Sequence, residues 1–220
     1  DLVEIQTRDF QPDLDGTLKS VTERTRMIFL ANPNNPTGTW VSKKELIPFM
    51  NNLPSSILVV LDEAYYEYVN SKHYPDGIDL QRDYENLVVT RTFSKAYGLA
   101  GLRIGYSVSN PEIADLMNRI RQPFNVNSLS LVAASLALDE LDFLGESIAI
   151  NNEGMKVLEQ TFSLLDLQYI PSAGNFLTVD LDQNALPIYK SLLQKGIIVR
   201  PIEVYGLPNH LRVSIGLPHQ

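Results

Sequence analysis

Lys95 lies in the segment Thr92-Phe93-Ser94-Lys95-Ala96-Tyr97-Gly98-Leu99-Ala100-Gly101-Leu102-Arg103, directly behind the apolar run Leu87-Val88-Val89. A primary amine there adds little to packing but is well placed for covalent chemistry. Beside apolar and cationic neighbours a lysine loses proton affinity, and its neutral fraction condenses with an aldehyde to a Schiff base. Two other apolar runs also end in polar residues that a core does not need. Met27 to Ala31 runs into Asn32-Pro33-Asn34-Asn35-Pro36-Thr37-Gly38, and Ile57 to Leu61 runs into Asp62-Glu63-Ala64-Tyr65. Ligands of open parallel sheets bind beyond the carboxyl ends of the strands, so three adjacent tips of this kind would face one crevice.

The donor set suits an aldehyde cofactor that carries a ring nitrogen. The Asp62 carboxylate against that nitrogen keeps it protonated, so that the ring draws electrons from a carbanion. Asn35 and Tyr65 suit hydrogen bonds to a ring hydroxyl. Arg103 offers a planar fork for a phosphate, and the Thr92 and Ser94 hydroxyls add neutral donors. Each residue alone has a plainer reading: a solvated lysine, a turn aspartate, a proline-rich turn. Gly98, Gly101 and Gly105 do not form the Gly-x-Gly-x-x-Gly pattern of dinucleotide sites. Asp180-Leu181-Asp182 lacks further oxygen ligands and reads as a solvated strand edge rather than a metal site.

The elements that must position these residues follow from hydrophobic patterning. The runs Leu2 to Ile5, Met27 to Ala31, Ile57 to Leu61 and Leu87 to Val89, with Arg103 to Val108 as a fifth, predict buried parallel strands of an α/β sheet. Ser42-Lys43-Lys44-Glu45 is a capping box opening a helix through Phe49 and Met50. The connection from Asp62 to Asn86, with Tyr65, Tyr66, Tyr68, Tyr74, Pro75 and Gly77, reads as a long functional loop. Asn110-Pro111-Glu112 opens a helix from 111 to about 121. Asn127 or Ser128 caps the next, with Leu129, Val132, Ala133 and Leu136 on one face. A longer helical pattern from about Phe143 to Leu167 carries the chain between domains. After Pro171-Ser172-Ala173-Gly174 come strand 175–181, helix 185–195 closed by Gly196, strand 197–200 and strand 211–215, a small α+β unit.

The balance of the chain narrows the function further. Its 220 residues are 44% hydrophobic and 20% charged, an ordinary globular composition. The formal charge of −8 repels phosphate backbones and anionic membranes, which argues against nucleic acid and membrane as partners. The chain has no cysteine, and His73, His210 and His219 lack ligand spacing, which argues against thiolate metal sites and cysteine nucleophiles. No apolar stretch approaches the ~20 residues that span a bilayer, and no secretory pattern opens the chain. A cytoplasmic protein is expected.

Taken in order, Asn32 to Gly38, Asp62 to Tyr65, Ser94 to Gly105 and Leu211-Arg212-Val213-Ser214-Ile215-Gly216 closely resemble the histidinol-phosphate aminotransferase family of fold type I pyridoxal-phosphate enzymes. The resemblance covers about Asp1 to Gly216. It implies a parallel-rich large domain over 1–142, incomplete at its N-terminus, and an inter-domain helix with a small C-terminal α+β domain over 143–220. It implies pyridoxal 5'-phosphate bound through Lys95, which also moves the proton at the substrate α-carbon. Asp62 would pair with the ring nitrogen, Asn35 and Tyr65 with the ring oxygen, Thr92, Ser94 and Arg103 with the phosphate, and Arg212 and Asn175 with the substrate carboxylate. The implied reaction exchanges an amino group between glutamate and an imidazole keto phosphate, in a homodimer. Family members are longer, and their preceding portion supplies a phosphate loop, a stacking aromatic ring and an arm to the dimer partner. These 220 residues are therefore expected to be weak or inactive alone, a fragment acting at most in binding or dimerisation. Threonine-phosphate decarboxylase and aromatic or broad-range aminotransferases are the nearest alternatives. Transcription regulators with such domains need a basic helix-turn-helix, which this acidic chain lacks.

Overall fold

The computed structural model describes residues 1–217 and 219. Helix α1 (Leu14–Ser20), capped by the Asp13 carboxylate on Gly16 N at 2.9 Å, packs on α2 (Lys43–Asn52). At the start of α2, Ser42 N donates to Glu45 Oε2 at 2.7 Å, the reciprocal half of the capping box. Both helices cover a sheet built from β1 (Met27–Ala31), β2 (Leu58–Asp62), β3 (Leu87–Thr92) and β4 (Gly105–Val108), hydrogen-bonded in that order. Leu30, Leu46, Phe49, Val59, Leu61, Leu87 and Val89 form the core between them.

The first three strands are parallel, and Ala31, Asp62 and Thr90 stand side by side at their carboxyl ends. This register brings the three polar tips of the sequence to one rim. The connection from β2 to β3 is mostly irregular, as expected, with a 3-10 turn at Tyr66–Tyr68 and the short α3 (Gly77–Leu80).

Two strand expectations need correction. Leu2 to Ile5 forms no strand: Leu2 and Val3 are exposed, and no described strand pairs with their backbone. The fifth run starts at Gly105 and is antiparallel to β3. A 3-10 turn at Ala100–Leu102 and the left-handed Arg103 (φ 51°) reverse the chain in too few residues for a parallel crossover.

Helices α4 (Pro111–Ile120) and α5 (Ser128–Ala137) follow, capped by Asn110 and Asn127. On α5 the residues packed inward are Ser130 and Ala134, while Leu129, Val132 and Leu136 are exposed. The long α6 (Leu141–Leu164) leads to the second sheet, β5 (Tyr169–Ile170), β6 (Phe176–Asp180), β8 (Leu207–Ser214) and β7 (Arg200–Ile202) in spatial order, antiparallel throughout. Helix α7 (Ala185–Gln194) lies against β8. The strand expected over 197–200 begins only at Arg200, because Gly196 turns left-handed and Ile197 N closes on Leu192 O at 3.0 Å, binding that residue to the helix end. Among the described residues no helix is long and apolar enough to cross a membrane.

Candidate active site

The loop after β1 is braced from within. The fully buried Asn32 side chain accepts from Val41 N at 2.8 Å and donates to Val41 O at 3.3 Å, and its own carbonyl accepts from the Tyr74 hydroxyl. Gly38 N closes on Asn34 O at 2.7 Å with φ at 77°, a left-handed turn suited to glycine. The same loop is the seam to the second sheet. Thr178 Oγ1 on β6 donates to Pro36 O at 2.6 Å, and Ala173 N donates to Gly38 O at 2.8 Å.

From this seam Asn35 reaches Arg212, whose Nη1 donates to Asn35 Oδ1 at 2.5 Å. The Arg212 guanidinium stands 5.1 Å from the centroid of the Phe176 ring, and its Nε is buried without a hydrogen-bond partner. A buried unpaired guanidinium nitrogen is costly, and it marks the place where an anion would complete the set. On the neighbouring strand Arg200 stands opposite Arg212 in register.

Phe176 also meets Tyr65 edge-on, ring centroids 5.3 Å apart at 82°. Lys95 Nζ lies 5.3 Å from the Tyr65 centroid. Burial depresses the Lys95 ammonium below its ordinary range, and the positive charges of Arg212 and Arg103 push it further the same way. Tyr65 is pushed up by burial, with Arg212 opposing and Asp62 and Tyr205 reinforcing the rise. Lys95 thus meets Tyr65, Tyr65 meets Phe176 and Phe176 meets Arg212 in one run of contacts.

Asp62 ends β2 exposed at the rim, one oxygen accepting from Ala64 N at 3.1 Å. Thr92 Oγ1 accepts from Ser94 N at 3.1 Å, turning the chain toward Lys95, and Gly98 N closes that turn on Lys95 O at 2.9 Å. Arg103 Nη1 donates to Ala100 O at 3.0 Å, which aligns the exposed side chain along its own turn. Asn175 precedes Phe176, and its carbonyl accepts from Ile215 N at 2.9 Å. The structure thus links Asn35, Arg212, Tyr65 and Lys95 through Phe176, sets Asp62 at a neighbouring strand tip and Arg103 at the end of the turn after Lys95, and uses the hydrogen bonds of Thr92 and of the Asn175 carbonyl for the backbone.

Behind the rim lies a network absent from the sequence reading. Glu63, next to Asp62, is fully buried and accepts on Oε2 from Arg91 Nε at 2.9 Å and Nη2 at 2.7 Å, and on Oε1 from Gly77 N at 2.9 Å. Arg91 Nη2 also donates to Asp76 Oδ1 at 2.8 Å, Tyr66 OH donates to Asp76 Oδ2 at 2.6 Å, and the Arg91 guanidinium lies 3.5 Å over the Tyr66 ring centroid. Burial pushes the Glu63 carboxyl up to about 7 against the pull of Arg91. For Asp76 burial also pushes up, but the Tyr66 hydroxyl and Arg91 outweigh it and leave the carboxyl below its usual range. Charged residues inside two otherwise apolar strand ends were the visible signal.

The profile of the family described as "Aminotransferase class I and II" matches residues 2–220. Over 214 residues the chain is 54% identical to histidinol-phosphate aminotransferase 2 of Pseudomonas fluorescens, and over 218 residues 55% identical to histidinol-phosphate aminotransferase 2 of Pasteurella multocida. These alignments cover 97% and 99% of this chain but only 58% and 60% of the relatives, so the chain spans about three fifths of their length. The crystal structure of histidinol-phosphate aminotransferase from Sinorhizobium meliloti in complex with pyridoxal-5'-phosphate superposes with a TM-score of 0.90 at 35% identity, over 98% of this chain and 60% of that one. The fold is that of the fold type I pyridoxal-phosphate aminotransferases, and this chain belongs to the class I and II aminotransferase family.

Proposed function

We propose that the protein to which this chain belongs is a pyridoxal-phosphate-dependent aminotransferase that exchanges an amino group between glutamate and the phosphorylated pair histidinol phosphate and imidazole acetol phosphate. The observation that carries this reading is Lys95, held beside the Tyr65 ring with its proton affinity lowered by burial and two arginines, at the rim where Asp62 ends the neighbouring strand. The similarity to enzymes of that name supports the substrate pair.

The residues fit the cofactor. A depressed lysine suits an aldehyde, an exposed carboxylate at the rim suits a ring nitrogen, and the orphaned Arg212 Nε suits a carboxylate. When bound, pyridoxal phosphate supplies an electron sink for the pair left at a substrate α-carbon. Lys95 Nζ would hold the cofactor covalently and then take and return the proton at that carbon. Asp62 would hold a proton on the ring nitrogen. The Tyr65 hydroxyl and Asn35 amide would orient the ring oxygen, and Thr92, Ser94 and Arg103 would hold the phosphate group. Arg212, steadied by Asn35, would grip the donor carboxylate together with Asn175. Arg200 beside it adds a second guanidinium that favours anionic, phosphorylated substrates.

The same reading assigns cofactor binding to residues 1–142 and the substrate-gripping helix and sheet to 143–220. It carries with it a cytoplasmic location and a homodimer, the exposed apolar face of Leu129, Val132 and Leu136 being a surface that a second copy or the remainder of the protein would cover. The test is borohydride reduction of the protein loaded with pyridoxal phosphate, followed by peptide mapping and a transamination assay with glutamate and imidazole acetol phosphate. Label on Lys95 with turnover supports the reading; label elsewhere, or none, overturns it.

A further inference from the structure

Glu63, Arg91 and Asp76 are three charged side chains that no step of the proposed chemistry uses, and they sit directly behind the rim. Alternation along a strand explains where they point. Asp62 and Glu63 are consecutive, so their side chains leave β2 on opposite faces. Leu61, Glu63, Val89 and Arg91 share the face that packs on α3, where a β-carbon on Gly77 would lie 2.9 Å from Glu63 Oε1, from Leu61 and from Val89. The closeness of that packing leaves the Glu63 carboxylate no room to shift.

We propose that Arg91 is a positioning residue, which by gripping Glu63 at the end of β2 and Asp76 in the following connection fixes the spacing between Asp62, Tyr65 and Lys95. The inference rests on the proposed function of this site.

Three observations carry it. The backbone ladder joins β2 to β3 only as far as Glu63 N on Thr90 O, at 2.8 Å. Beyond that point β3 pairs with β4, and nothing in the ladder ties the chain leading to Lys95 to the chain leaving Asp62. The paired bonds from Arg91 to Glu63 Oε2 supply that tie one residue past Asp62 and four residues before Lys95. Secondly, Arg91 is shared with Asp76, which also binds Tyr66 and caps α3 through Ile78 N at 3.0 Å. The segment carrying Tyr65 is therefore held at both ends by one guanidinium system. Thirdly, the guanidinium carbon lies 3.5 Å over the centre of the Tyr66 ring, a contact that adds to the two carboxylates in holding it. A lysine could satisfy one charge but could not make the fork, the bridge and the stack together.

The experiment uses the protein loaded with pyridoxal phosphate. Arg91→Lys, Glu63→Gln and Asp76→Asn are compared with wild type, and Val59→Ala serves as a control that loosens the β2 core outside the network. Measured are the pH midpoint of the visible cofactor band, the retention of pyridoxal phosphate, the melting temperature, and kcat and KM separately. Expected for Arg91→Lys are a kcat at least tenfold lower with KM within threefold, cofactor retention about tenfold weaker, and a shifted band midpoint. Glu63→Gln should show the same pattern, and Asp76→Asn, at the more open end of the network, a smaller version of it. Val59→Ala should lower the melting temperature and leave the band midpoint in place. If Arg91→Lys does not fold, the milder Asp76→Asn decides. A folded variant with unchanged midpoint and kcat within twofold of wild type overturns the proposal, as does a midpoint that moves equally in Val59→Ala. Absence of borohydride-fixed cofactor on wild-type Lys95 overturns the reading of the site itself, and the two failures are thereby told apart.

Discussion

Arg212 Nη1, on a strand of the C-terminal sheet, donates to Asn35 Oδ1, in the loop that follows the first strand of the parallel sheet, across 2.5 Å. The bond joins two regions far apart in sequence and fixes which way the guanidinium faces. A hydrogen bond to a charged group contributes about 1.5–3 kcal/mol. Asn35→Ala is therefore expected to raise KM for the carboxylate-bearing donor about tenfold or more at saturating cofactor, and to lower kcat as well, since the same amide is assigned to the ring oxygen. Steady-state kinetics check this, and an unchanged KM would show that the Asn35 bond does not set how Arg212 binds the donor.

In the complete protein Lys95→Ala is expected to abolish turnover and to remove the site of borohydride labelling while the fold persists, because the side chain lies at the rim and outside the main core. Residual activity within tenfold of wild type would defeat the assignment. Asp62→Ala is expected to keep the covalent attachment but to slow exchange of the substrate α-proton by orders of magnitude, which deuterium washout measured by NMR would reveal.

The pH behaviour of Lys95 has a defined sign. Its proton affinity is below that of a free lysine through burial first and the charges of Arg212 and Arg103 second. The neutral amine therefore appears at lower pH than in an unfolded chain, and condensation with an aldehyde should reach half its limiting rate below the ordinary lysine value of 10.5. Arg212→Met removes one cation and should move that midpoint upward, though not fully to 10.5, since burial and Arg103 remain. Rates of band formation after adding pyridoxal phosphate across a pH series check the direction; a downward move contradicts it. Linkage gives the matching stability effect. Between the depressed value and 10.5 the unfolded chain binds more protons at this site than the folded one, so this group adds stability as pH rises through that window.

Gly38→Ala tests the seam. With φ at 77° a β-carbon there would lie 1.9 Å from Ser172 Oγ and 2.8 Å from Ser172 Cα. The left-handed backbone costs about 1–2 kcal/mol for any L-residue, and the collision adds to it. A loss of about 3 kcal/mol is expected in urea unfolding. Adding Ser172→Gly should restore only part of the loss, because it removes the Oγ and Cβ contacts but leaves the Cα of that residue at 2.8 Å and the backbone cost.

The parallel core and its rim were legible because β1, β2 and β3 are apolar runs that stop at Asn32, Asp62 and the Thr92 to Lys95 turn, a pattern set locally. Leu2 to Ile5 shows the converse: an apolar run forms a strand only where a neighbouring backbone accepts it, and among the described residues none does. The direction of β4 depended on how tightly residues 100–103 turn, which patterning does not encode. Phe176 gave no sign of its place between Tyr65 and Arg212, since a core phenylalanine and a site phenylalanine look alike in sequence. Arg91 and Glu63 did carry a sign, as charges beside apolar strand residues, but only the fold shows that they meet each other.

The seam at Pro36 to Gly38 holds together two halves that carry different parts of the candidate site. The pairing of Arg212 with Asn35 spans both halves, because Arg212 belongs to a strand of one sheet and Asn35 to the loop that follows a strand of the other. The lysine, the rim carboxylate and Tyr65 all belong to the parallel half and its loops. Parting of the two halves would separate Arg212 from Asn35 and leave Lys95, Asp62 and Tyr65 with the parallel half, so on warming the reaction of Lys95 with an aldehyde is expected to outlast the Arg212 contact.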